Sequence, residues 1–307
     1  MKCYASLDGN LTQVIRKIPT PNAEVGQVLV RVKAIGINRA DLLHVAGTYK
    51  SQDGSDIPGL EFAGVRVDTG ERVCGIISSG AYAHYLVTHH DHLISIPEEM
   101  SFIKAAALPE ALSVSWHHLY ELCDIKNCNS ILIHGAASGI GHILTQIALY
   151  ENVKVYATAS DLDKLSMFQD TCVTLSFHDK FDEIITKLGK VDAVIDILGG
   201  SYMNQNIKCC SPGGKIIMLA SMDNRFGQVD FGSLLVKNLT MIGATIRSKS
   251  YNEKTRIICK ATEHLIPLVA SNFIKPFISK IFHFDELKDG HLYLKSGKNI
   301  GKIIVSV

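Results

Sequence analysis

The stretch HGAASGIG, from His134 to Gly141, contains three glycines whose spacing could bring a phosphate group against the peptide backbone. Glycine has no Cβ, so a pyrophosphate can approach the backbone N–H groups of such a turn closely. In the usual dinucleotide fingerprint, three glycines serve the turn, the phosphate approach and the packing of helix on strand. Here alanine and serine stand where the first two would be, and small residues still permit the approach. The predicted contact residues are Ala136, Ser138, Gly139, Ile140 and Gly141.

The elements on either side of this glycine turn (Gly135–Gly141) predict a strand–helix–strand unit. Ser130–His134 is a short apolar run bounded by glycine, which predicts a buried strand. From Gly139 the apolar residues recur at the helical spacing i, i+3, i+4, i+7 and i+8, and Lys154–Ala159 predicts a second strand. The N-terminus of a helix after such a turn attracts anions, so the unit predicts dinucleotide binding. A turn without phosphate is the alternative, with Ser138 as a plain turn residue.

Strands and helices continue to alternate after this unit. Four further strands are predicted at Cys172–Ser176, Val191–Ile195, Lys215–Ala220 and Leu239–Ala244. The helices are predicted at Leu162–Asp170, Phe181–Leu188, Tyr202–Cys209 and Phe231–Lys237. This alternation predicts an α/β fold with a parallel, doubly wound sheet of six strands, which is the number in a full dinucleotide fold.

The first hundred residues predict an antiparallel β domain with few helices. Val28–Ile35 alternates apolar and polar residues, as a half-buried strand does. Val65–Val67 and Arg72–Ile76 predict a hairpin that turns at Asp68, Thr69 and Gly70. Further short strands are predicted at Tyr82–Val87 and Leu93–Ile96.

The segments that flank the predicted sheet of six strands have different patterns. Ala111–Cys123 is helical in pattern and predicts the crossing into the nucleotide domain. After Arg247 a long helix is predicted at Tyr251–Ile266, broken by Pro267. The final stretch, Lys302–Val307, is predicted to return and pair with the first domain as a strand.

Composition limits the possible functions of the chain. Its 307 residues contain 31 Lys and Arg against 30 Asp and Glu, a net charge of +1, which argues against a nucleic-acid partner. The sequence contains no apolar run of membrane-spanning length and begins without a secretory h-region, so we expect a cytoplasmic protein. Its eight cysteines show no CxxC spacing, and we expect them to be reduced.

Eight segments spread over the chain carry a family resemblance. They are INRADLLHVAGTY (Ile37–Tyr49), GLEFAG (Gly59–Gly64), GERVCG (Gly70–Gly75), AAALPEA (Ala105–Ala111), HGAASGIG (His134–Gly141), GGSYMNQNIKCC (Gly199–Cys210), IGATIRS (Ile242–Ser248) and NIGKIIV (Asn299–Val305). On these residues the chain resembles the zinc-free quinone oxidoreductases of the medium-chain dehydrogenase/reductase superfamily. Within them it looks like the branch of the p53-inducible quinone oxidoreductase.

The resemblance implies a domain plan and an activity. It implies a GroES-like catalytic domain formed by residues 1–112 and 247–307, a Rossmann NADP(H)-binding domain at 113–246, a cleft active site and a homodimer. It also implies NADPH-dependent reduction of quinones or related enones. Two alternatives stay open: an enal or enoyl-thioester reductase, and an NADPH-binding protein without catalytic activity.

The resemblance also bears on zinc. The zinc alcohol dehydrogenases of this superfamily have a cysteine where Asn38 stands and a histidine where Leu60 stands. A catalytic zinc needs three protein ligands, so we expect no metal in this chain. Without a Lewis acid, an alkoxide is hard to stabilise, whereas a quinone or enone accepts hydride directly. Reduction of an activated double bond is therefore the expected chemistry.

Two polar residues are candidates for the substrate side. By resemblance Asn38 and Tyr49 face the cleft, where Tyr49 could hydrogen-bond or protonate the developing oxyanion and Asn38 could orient substrate or nicotinamide. The alternative is a turn or cap role for Asn38 and a loop-edge position for Tyr49. We expect Asp41 to be structural.

The choice of coenzyme depends on the end of the second strand of the nucleotide domain. The position where an NAD site has a carboxylate falls on Ala159, followed by Ser160 and, further on, Lys164. This favours NADPH over NADH, although the charge of Asp161 would repel a 2′-phosphate. The alternative role of Asp161 is an N-cap for the helix from Leu162. By resemblance Phe177 stands near the adenine.

Overall fold

The fold is given by a computed structural model, which describes residues 1–6, 13–48 and 54–307. The strands are β1 Lys2–Ser6, β2 Gln13–Lys17, β3 Gln27–Ile37, β4 Glu61–Arg66, β5 Arg72–Ile76, β6 Tyr85–His89, β7 Leu93–Ser95, β8 Ser130–His134, β9 Lys154–Ala159, β10 Val173–Ser176, β11 Val191–Asp196, β12 Cys210–Met218, β13 Thr240–Gly243, β14 Ile278–His283 and β15 Lys302–Ser306. The α-helices are α1 Arg39–Val45, α2 Phe102–Ala105, α3 Pro109–Trp116, α4 Gly141–Tyr150, α5 Phe181–Leu188, α6 Met203–Cys209, α7 Phe231–Val236, α8 Tyr251–Ala270 and α9 Leu287–Lys295. A π-helical segment, His117–Cys123, follows α3, and 3-10 turns lie at His90–His92, Ile125–Asn127, Leu162–Phe168, Gly200–Tyr202 and Phe284–Glu286.

The chain divides into two compact units. The first contains Met1–Ser113, Ser250–Ala270 and Lys275–Val307, and the second contains Val114–Lys249 with Ser271–Ile274. The division falls one residue after the first predicted boundary and three residues after the second. The sequence did not indicate that the short segment after α8 belongs to the second unit.

A parallel sheet of six strands forms the centre of the second unit. Its neighbour order is β10-β9-β8-β11-β12-β13, so the chain winds outwards from β8 in both directions. All five residues of β8 are buried, which explains why its sequence is apolar without alternation. Apolar residues of β8, β9, β11 and β12 pack with α5 and α6 in one core. The predicted α/β class and the six-stranded doubly wound sheet are confirmed.

The first unit is built on a mostly antiparallel sheet. Its neighbour order is β14-β15-β3-β4-β5-β7, with β6 also paired to β3, and only β14 and β15 run parallel. The predicted hairpin is present as β4 and β5, and its turn is closed by the Gly70 N–H, which donates to the Arg66 carbonyl at 3.0 Å. The last strand, β15, pairs with β3 from the start of the chain, as predicted.

Two predicted helices differ from the structure. Leu162–Phe168 is a 3-10 turn rather than an α-helix, and its buried residues are Leu165 and Phe168. The helix α8 continues through Pro267 to Ala270, because one proline removes a single backbone hydrogen bond while the buried face continues to Val269. Within the described ranges, none of the helices is both long and apolar enough to cross a membrane.

Candidate functional site

The glycine turn leaves no space for side chains at two of its positions. The backbone of Gly135 is left-handed, with φ +64°, and a Cβ there would lie 2.2 Å from Cδ1 of Ile197. A Cβ on Gly141 would lie 2.1 Å from the carbonyl oxygen of Gly135, so the two ends of the turn are in van der Waals contact. The connection from β8 to α4 therefore requires glycine at both Gly135 and Gly141.

The accessible part of this turn lies between its two glycine ends. Ala136 and Gly141 are buried, whereas Ser138, Gly139 and Ile140 are half-buried. The hydroxyl oxygen of Ser138 accepts the N–H of Gly141 at 3.0 Å, and the carbonyl oxygen of Ser138 accepts the N–H of His142 at 3.1 Å. Ser138 thus binds the first turn of α4, and its predicted contact with phosphate or nicotinamide stays a prediction. A tight glycine turn with a half-buried middle, at the N-terminus of a ten-residue helix, fits a dinucleotide phosphate.

A buried histidine fixes the strand that leads into the turn. His134 pairs through Nδ1 with the Thr158 hydroxyl and through Nε2 with the Asn206 amide oxygen, both at 2.8 Å. Burial lowers the pKa of His134, so the ring stays neutral and joins β8 to β9 and α6. At the end of β11 the buried carboxylate of Asp196 accepts the N–H groups of Leu198 at 2.7 Å and Gly199 at 3.1 Å. These supports were not predicted.

The carboxyl end of β9 carries no acidic side chain in the strand itself. It ends at the buried Ala159, and the next residue, Ser160, is exposed. The ammonium of Lys164 donates to the Ser160 hydroxyl at 3.2 Å, so the two predicted residues lie together. The Asp161 carboxylate accepts the N–H of Asp163 at 3.0 Å and caps the turn Leu162–Phe168. The capping alternative for Asp161 is therefore what the structure contains.

Phe177 lies at the same edge of the sheet, one residue beyond β10. Its N–H donates to the Ala159 carbonyl at 3.1 Å, which holds it beside the end of β9. Its half-buried ring meets Tyr202 edge-on, with 5.9 Å between ring centroids. The structure thus brings Ser160, Lys164 and Phe177 to neighbouring strand ends, and their contacts with a nucleotide stay predictions.

The first unit contains a buried polar cluster formed by Asn38, Asp41, Glu61, Tyr82, His291 and Lys302. Its charged pair is Glu61 and Lys302, which are 0% and 2% exposed and form a direct ion pair. The side chain of Asn38 lies against both: its Nδ2 donates to Glu61 Oε1 at 2.8 Å, and its Oδ1 accepts the Lys302 ammonium at 2.8 Å. The second Glu61 oxygen accepts the backbone N–H of Glu110 at 3.0 Å. The ion pair therefore has the additional hydrogen bonds that buried charges require.

The other half of the polar cluster is a chain of hydrogen bonds. The Asp41 carboxylate accepts the backbone N–H of Asn38 at 2.8 Å and the Tyr82 hydroxyl at 2.9 Å. The Tyr82 oxygen also lies 2.9 Å from Nε2 of His291. Burial raises the pKa of Asp41 to about 7 and lowers that of His291 to about 4. These contacts agree with the structural role expected for Asp41.

The two predicted substrate-side residues fare differently. Tyr49 lies outside the described residues. Asn38 is 9% exposed; its amide nitrogen donates to Glu61, and its amide oxygen accepts from Lys302. Its predicted role stays a prediction, and these contacts fix the orientation of its side chain. The ion pair was not predicted, although a charged residue inside each of the apolar segments GLEFAG and NIGKIIV was a signal that a buried partner exists.

Two family profiles match this chain in sequence order. Residues 24–98 match the family described as "Alcohol dehydrogenase GroES-like domain", and residues 172–305 match the family described as "Zinc-binding dehydrogenase". The chain belongs to the medium-chain dehydrogenase/reductase superfamily. In the part of this superfamily member that the structure describes, no three His, Cys, Asp or Glu side chains form a group that could bind a metal ion.

Relatives of this superfamily member carry different names. "Synaptic vesicle membrane protein VAT-1 homolog" of Danio rerio is 28% identical over 318 residues, which cover 93% of this chain and 65% of that protein. The chain thus spans less than two thirds of that relative. "Quinone oxidoreductase-like protein 2" of Bos taurus is 26% identical over 314 residues, which cover 96% of this chain and 89% of that protein.

A solved structure establishes the shared fold. The quinone oxidoreductase of Thermus thermophilus, whose structures include a complex with NADPH, superposes with a TM-score of 0.89. Its sequence is 23% identical, and the comparison covers 100% of both chains. The architecture is therefore the GroES-like plus Rossmann arrangement that the sequence predicted for this oxidoreductase superfamily.

Proposed function

We propose that the protein transfers hydride from NADPH to quinones or related enones without zinc. The observation that carries this proposal is the glycine turn, where an added Cβ on Gly141 would lie 2.1 Å from the Gly135 carbonyl oxygen. A turn this tight before a helix N-terminus suits a dinucleotide pyrophosphate. The relatives named as quinone oxidoreductases support the choice of acceptor.

On the coenzyme side, we assign one task to each group of residues. The half-buried Ser138, Gly139 and Ile140 receive the pyrophosphate, because they are the accessible part of the turn. Phe177 packs against the adenine from the end of β10. When bound, the reduced nicotinamide supplies the hydride, and the protein orients it and excludes water.

We propose NADPH rather than NADH as the coenzyme. The end of β9 has a buried alanine where a ribose-binding carboxylate would stand, and Lys164 already contacts Ser160 there. A 2′-phosphate there would offer the ammonium a charged hydrogen-bond acceptor. The Asp161 carboxylate accepts the Asp163 N–H as a cap, a role that does not need the coenzyme.

On the acceptor side, the residues present favour an activated double bond. Leu60 offers a hydrocarbon and Asn38 a neutral amide that already contacts Lys302, so neither position supplies the histidine or thiolate ligand that a catalytic zinc would need. An acceptor that delocalises the incoming negative charge onto an oxygen needs only one hydrogen-bond donor. We assign that donor to Tyr49, and we assign the orientation of the substrate or nicotinamide to Asn38.

We also propose that the protein forms a homodimer through the open edge of the parallel sheet. The strand β13 lies at that edge, and an edge strand presents unpaired backbone groups. On the neighbouring helix α7, Phe231, Leu235 and Val236 are 73%, 74% and 81% exposed. A second copy of the chain would cover both features, and light scattering after gel filtration would measure the mass.

Steady-state oxidation of NADPH tests the proposed function. The assay compares a para-quinone, an enone and an enoyl thioester as acceptors, with a metal chelator present throughout. We expect NADPH to be consumed with the quinone and, more slowly, with the enone. Turnover with the thioester alone would favour the enoyl reductase alternative. Binding of NADPH, seen by fluorescence, without turnover of any acceptor would favour a non-catalytic binding protein.

A further inference from the structure

Two thiols lie next to each other at the amino end of β8, in the second unit. Cys123 is the last residue of the π-helical segment, and Cys128 follows the 3-10 turn Ile125–Asn127. Asp124 reverses the chain between them with a left-handed backbone, φ +61°. The two sulfur atoms are 3.6 Å apart, and both cysteines are free thiols.

The backbone on both sides of this thiol pair is held in place. The Lys215 ammonium donates to the carbonyls of Leu122 at 3.2 Å and Cys123 at 3.1 Å. On the other side, the Asp192 carboxylate accepts the N–H groups of Asn129 at 2.7 Å and Ser130 at 3.1 Å. The two sulfur atoms therefore face each other across a short loop whose ends are both anchored.

The two thiols differ in ways that suit a stepwise oxidation. Cys123 is buried, whereas Cys128 is half-buried and accessible to a small oxidant. The hydrogen bond between the sulfur atoms lowers the pKa of Cys128 and raises that of Cys123. The Lys215 ammonium, which donates to the Cys123 carbonyl, also places a positive charge near the thiol pair. A disulfide has a sulfur–sulfur length of about 2 Å, so the sulfur atoms need to approach by only about 1.6 Å.

We propose that Cys123 and Cys128 form a reversible intramolecular disulfide when the protein meets a hydroperoxide. The Cys128 thiolate attacks the outer peroxide oxygen, the O–O bond breaks, and the alcohol or water leaves with a proton, which gives a sulfenic acid on Cys128. The Cys123 sulfur then attacks the Cys128 sulfur, the S–O bond breaks and water leaves. Two thiols lose two protons and two electrons, and one hydroperoxide becomes one alcohol and one water.

This modification site is separate from the proposed coenzyme site. Both thiols precede β8, whereas the glycine turn follows the carboxyl end of the same strand. Oxidation is therefore expected to leave the dissociation constant of NADPH unchanged within about twofold, since the strand between them stays in the sheet. Failure to find the disulfide would therefore leave the proposed function untouched, and failure to find NADPH turnover would leave the disulfide untouched.

Peptide mapping of the full chain tests the proposal. The protein is treated with hydrogen peroxide, its free thiols are alkylated, and it is digested with trypsin, which cuts after Lys126 and so separates the two cysteines. We expect one disulfide-linked pair of peptides that carries Cys123 and Cys128, is two hydrogen atoms lighter than the reduced pair, and separates on treatment with dithiothreitol. The exposed Cys259 serves as the internal reference for general oxidation.

Two variants complete the test. Cys128→Ser should abolish the linked peptide and leave the buried Cys123 reduced, while Cys259→Ser should leave the yield of linked peptide unchanged. Equal alkylation of Cys123 and Cys128 before and after oxidation, or sulfinic acids without a linked peptide, would overturn the proposal. Because the map of the unaltered protein already decides between these outcomes, a variant that fails to fold does not affect the conclusion.

Discussion

The glycine turn and the buried polar cluster are built in opposite ways. The turn consists of seven consecutive residues, and its shape depends on side chains that are absent. The polar cluster depends on side chains that are present, from residues as far apart as Asn38 and Lys302, which are 264 positions apart. The conformation of the turn is set within a short segment, whereas the polar cluster forms only when the whole first unit is folded.

This difference predicts different responses to substitution. A side chain added to the turn has to displace backbone atoms, so ligand binding and stability both suffer. A side chain removed from the polar cluster leaves a charge without its partner in a dry interior. Substitutions in the turn are therefore expected to weaken NADPH binding and stability together, whereas loss of the buried ammonium is expected to act first on stability.

The largest effect is expected from removing the buried ammonium of the polar cluster. Lys302→Met should lower the free energy of unfolding by about 3–5 kcal/mol, because the fully buried Glu61 carboxylate loses its counter-charge. Urea denaturation followed by circular dichroism measures the change. Lys298→Met, at an exposed lysine just before β15, is the control. Adding Glu61→Gln to Lys302→Met should recover part of the loss, and a loss no greater than that of Lys298→Met would contradict the burial of the pair.

The next largest effect is expected at the turn. Gly141→Ala places a Cβ 2.1 Å from the Gly135 carbonyl oxygen, a backbone atom that cannot rotate away. The strain should outweigh the gain of about 1 kcal/mol that alanine brings to a helix, and weaken NADPH binding by more than about tenfold. Fluorescence titration with NADPH measures the change. Gly243→Ala, where an added Cβ meets nothing within 4 Å, should bind NADPH normally; equal affinity in both variants would mean that the turn is not the coenzyme site.

The pH dependence of stability is expected to show two opposite contributions from the polar cluster. The pKa of Asp41 is raised from 3.8 to about 7 in the folded protein, so its contribution is complete below about pH 4 and is lost as the pH rises through 7. The pKa of His291 is lowered from 6.5 to about 4, so its contribution is complete above about pH 6.5 and is lost as the pH falls through 4. The two slopes therefore oppose each other between pH 4 and 7.

Single variants isolate the contribution of each group to the pH dependence of stability. Relative to the unaltered protein, Asp41→Asn should become more stable with rising pH between 4 and 7, and His291→Gln should become less stable. Each difference should reach about 1 kcal/mol per pH unit. Denaturation curves at a series of pH values measure the differences. Parallel curves for all three proteins would show that neither group titrates differently in the folded state.

The smallest effect is expected at the end of β9. Lys164→Ala should raise the KM for NADPH by about tenfold and leave the KM for NADH within about twofold, because only NADPH carries the 2′-phosphate. Steady-state kinetics with both coenzymes measure the two values. Lys187→Ala, at an exposed lysine of α5, should change neither. Equal effects of Lys164→Ala on both coenzymes would remove Lys164 from the proposed phosphate site.

The elements that could be predicted from the sequence are those with a local cause. The strands β8 and β9 were predictable because their apolar runs are continuous, and the glycine turn because its spacing between strand and helix is specific. The Asp161 cap also depends only on residues two positions apart. In each case the signal and the structure lie within the same short segment.

What could not be predicted depends on distant partners. Nothing near Lys302 in the sequence indicates that its partner is Glu61, 241 positions away, or that Asn38 would hydrogen-bond to both. The continuation of α8 past Pro267 depends on the buried face of the helix, which the sequence does not show directly. Tertiary packing decided both outcomes.

Isotope transfer tests the central claim most directly. NADPH in which both hydrogens at C4 of the nicotinamide are replaced by deuterium is incubated with the protein, a metal chelator and an enone, and the product is examined by mass spectrometry. We expect one deuterium atom on the product carbon, with the rate unaffected by the chelator. A product without deuterium, or a reaction that stops with the chelator and resumes with zinc, would contradict metal-free hydride transfer from NADPH.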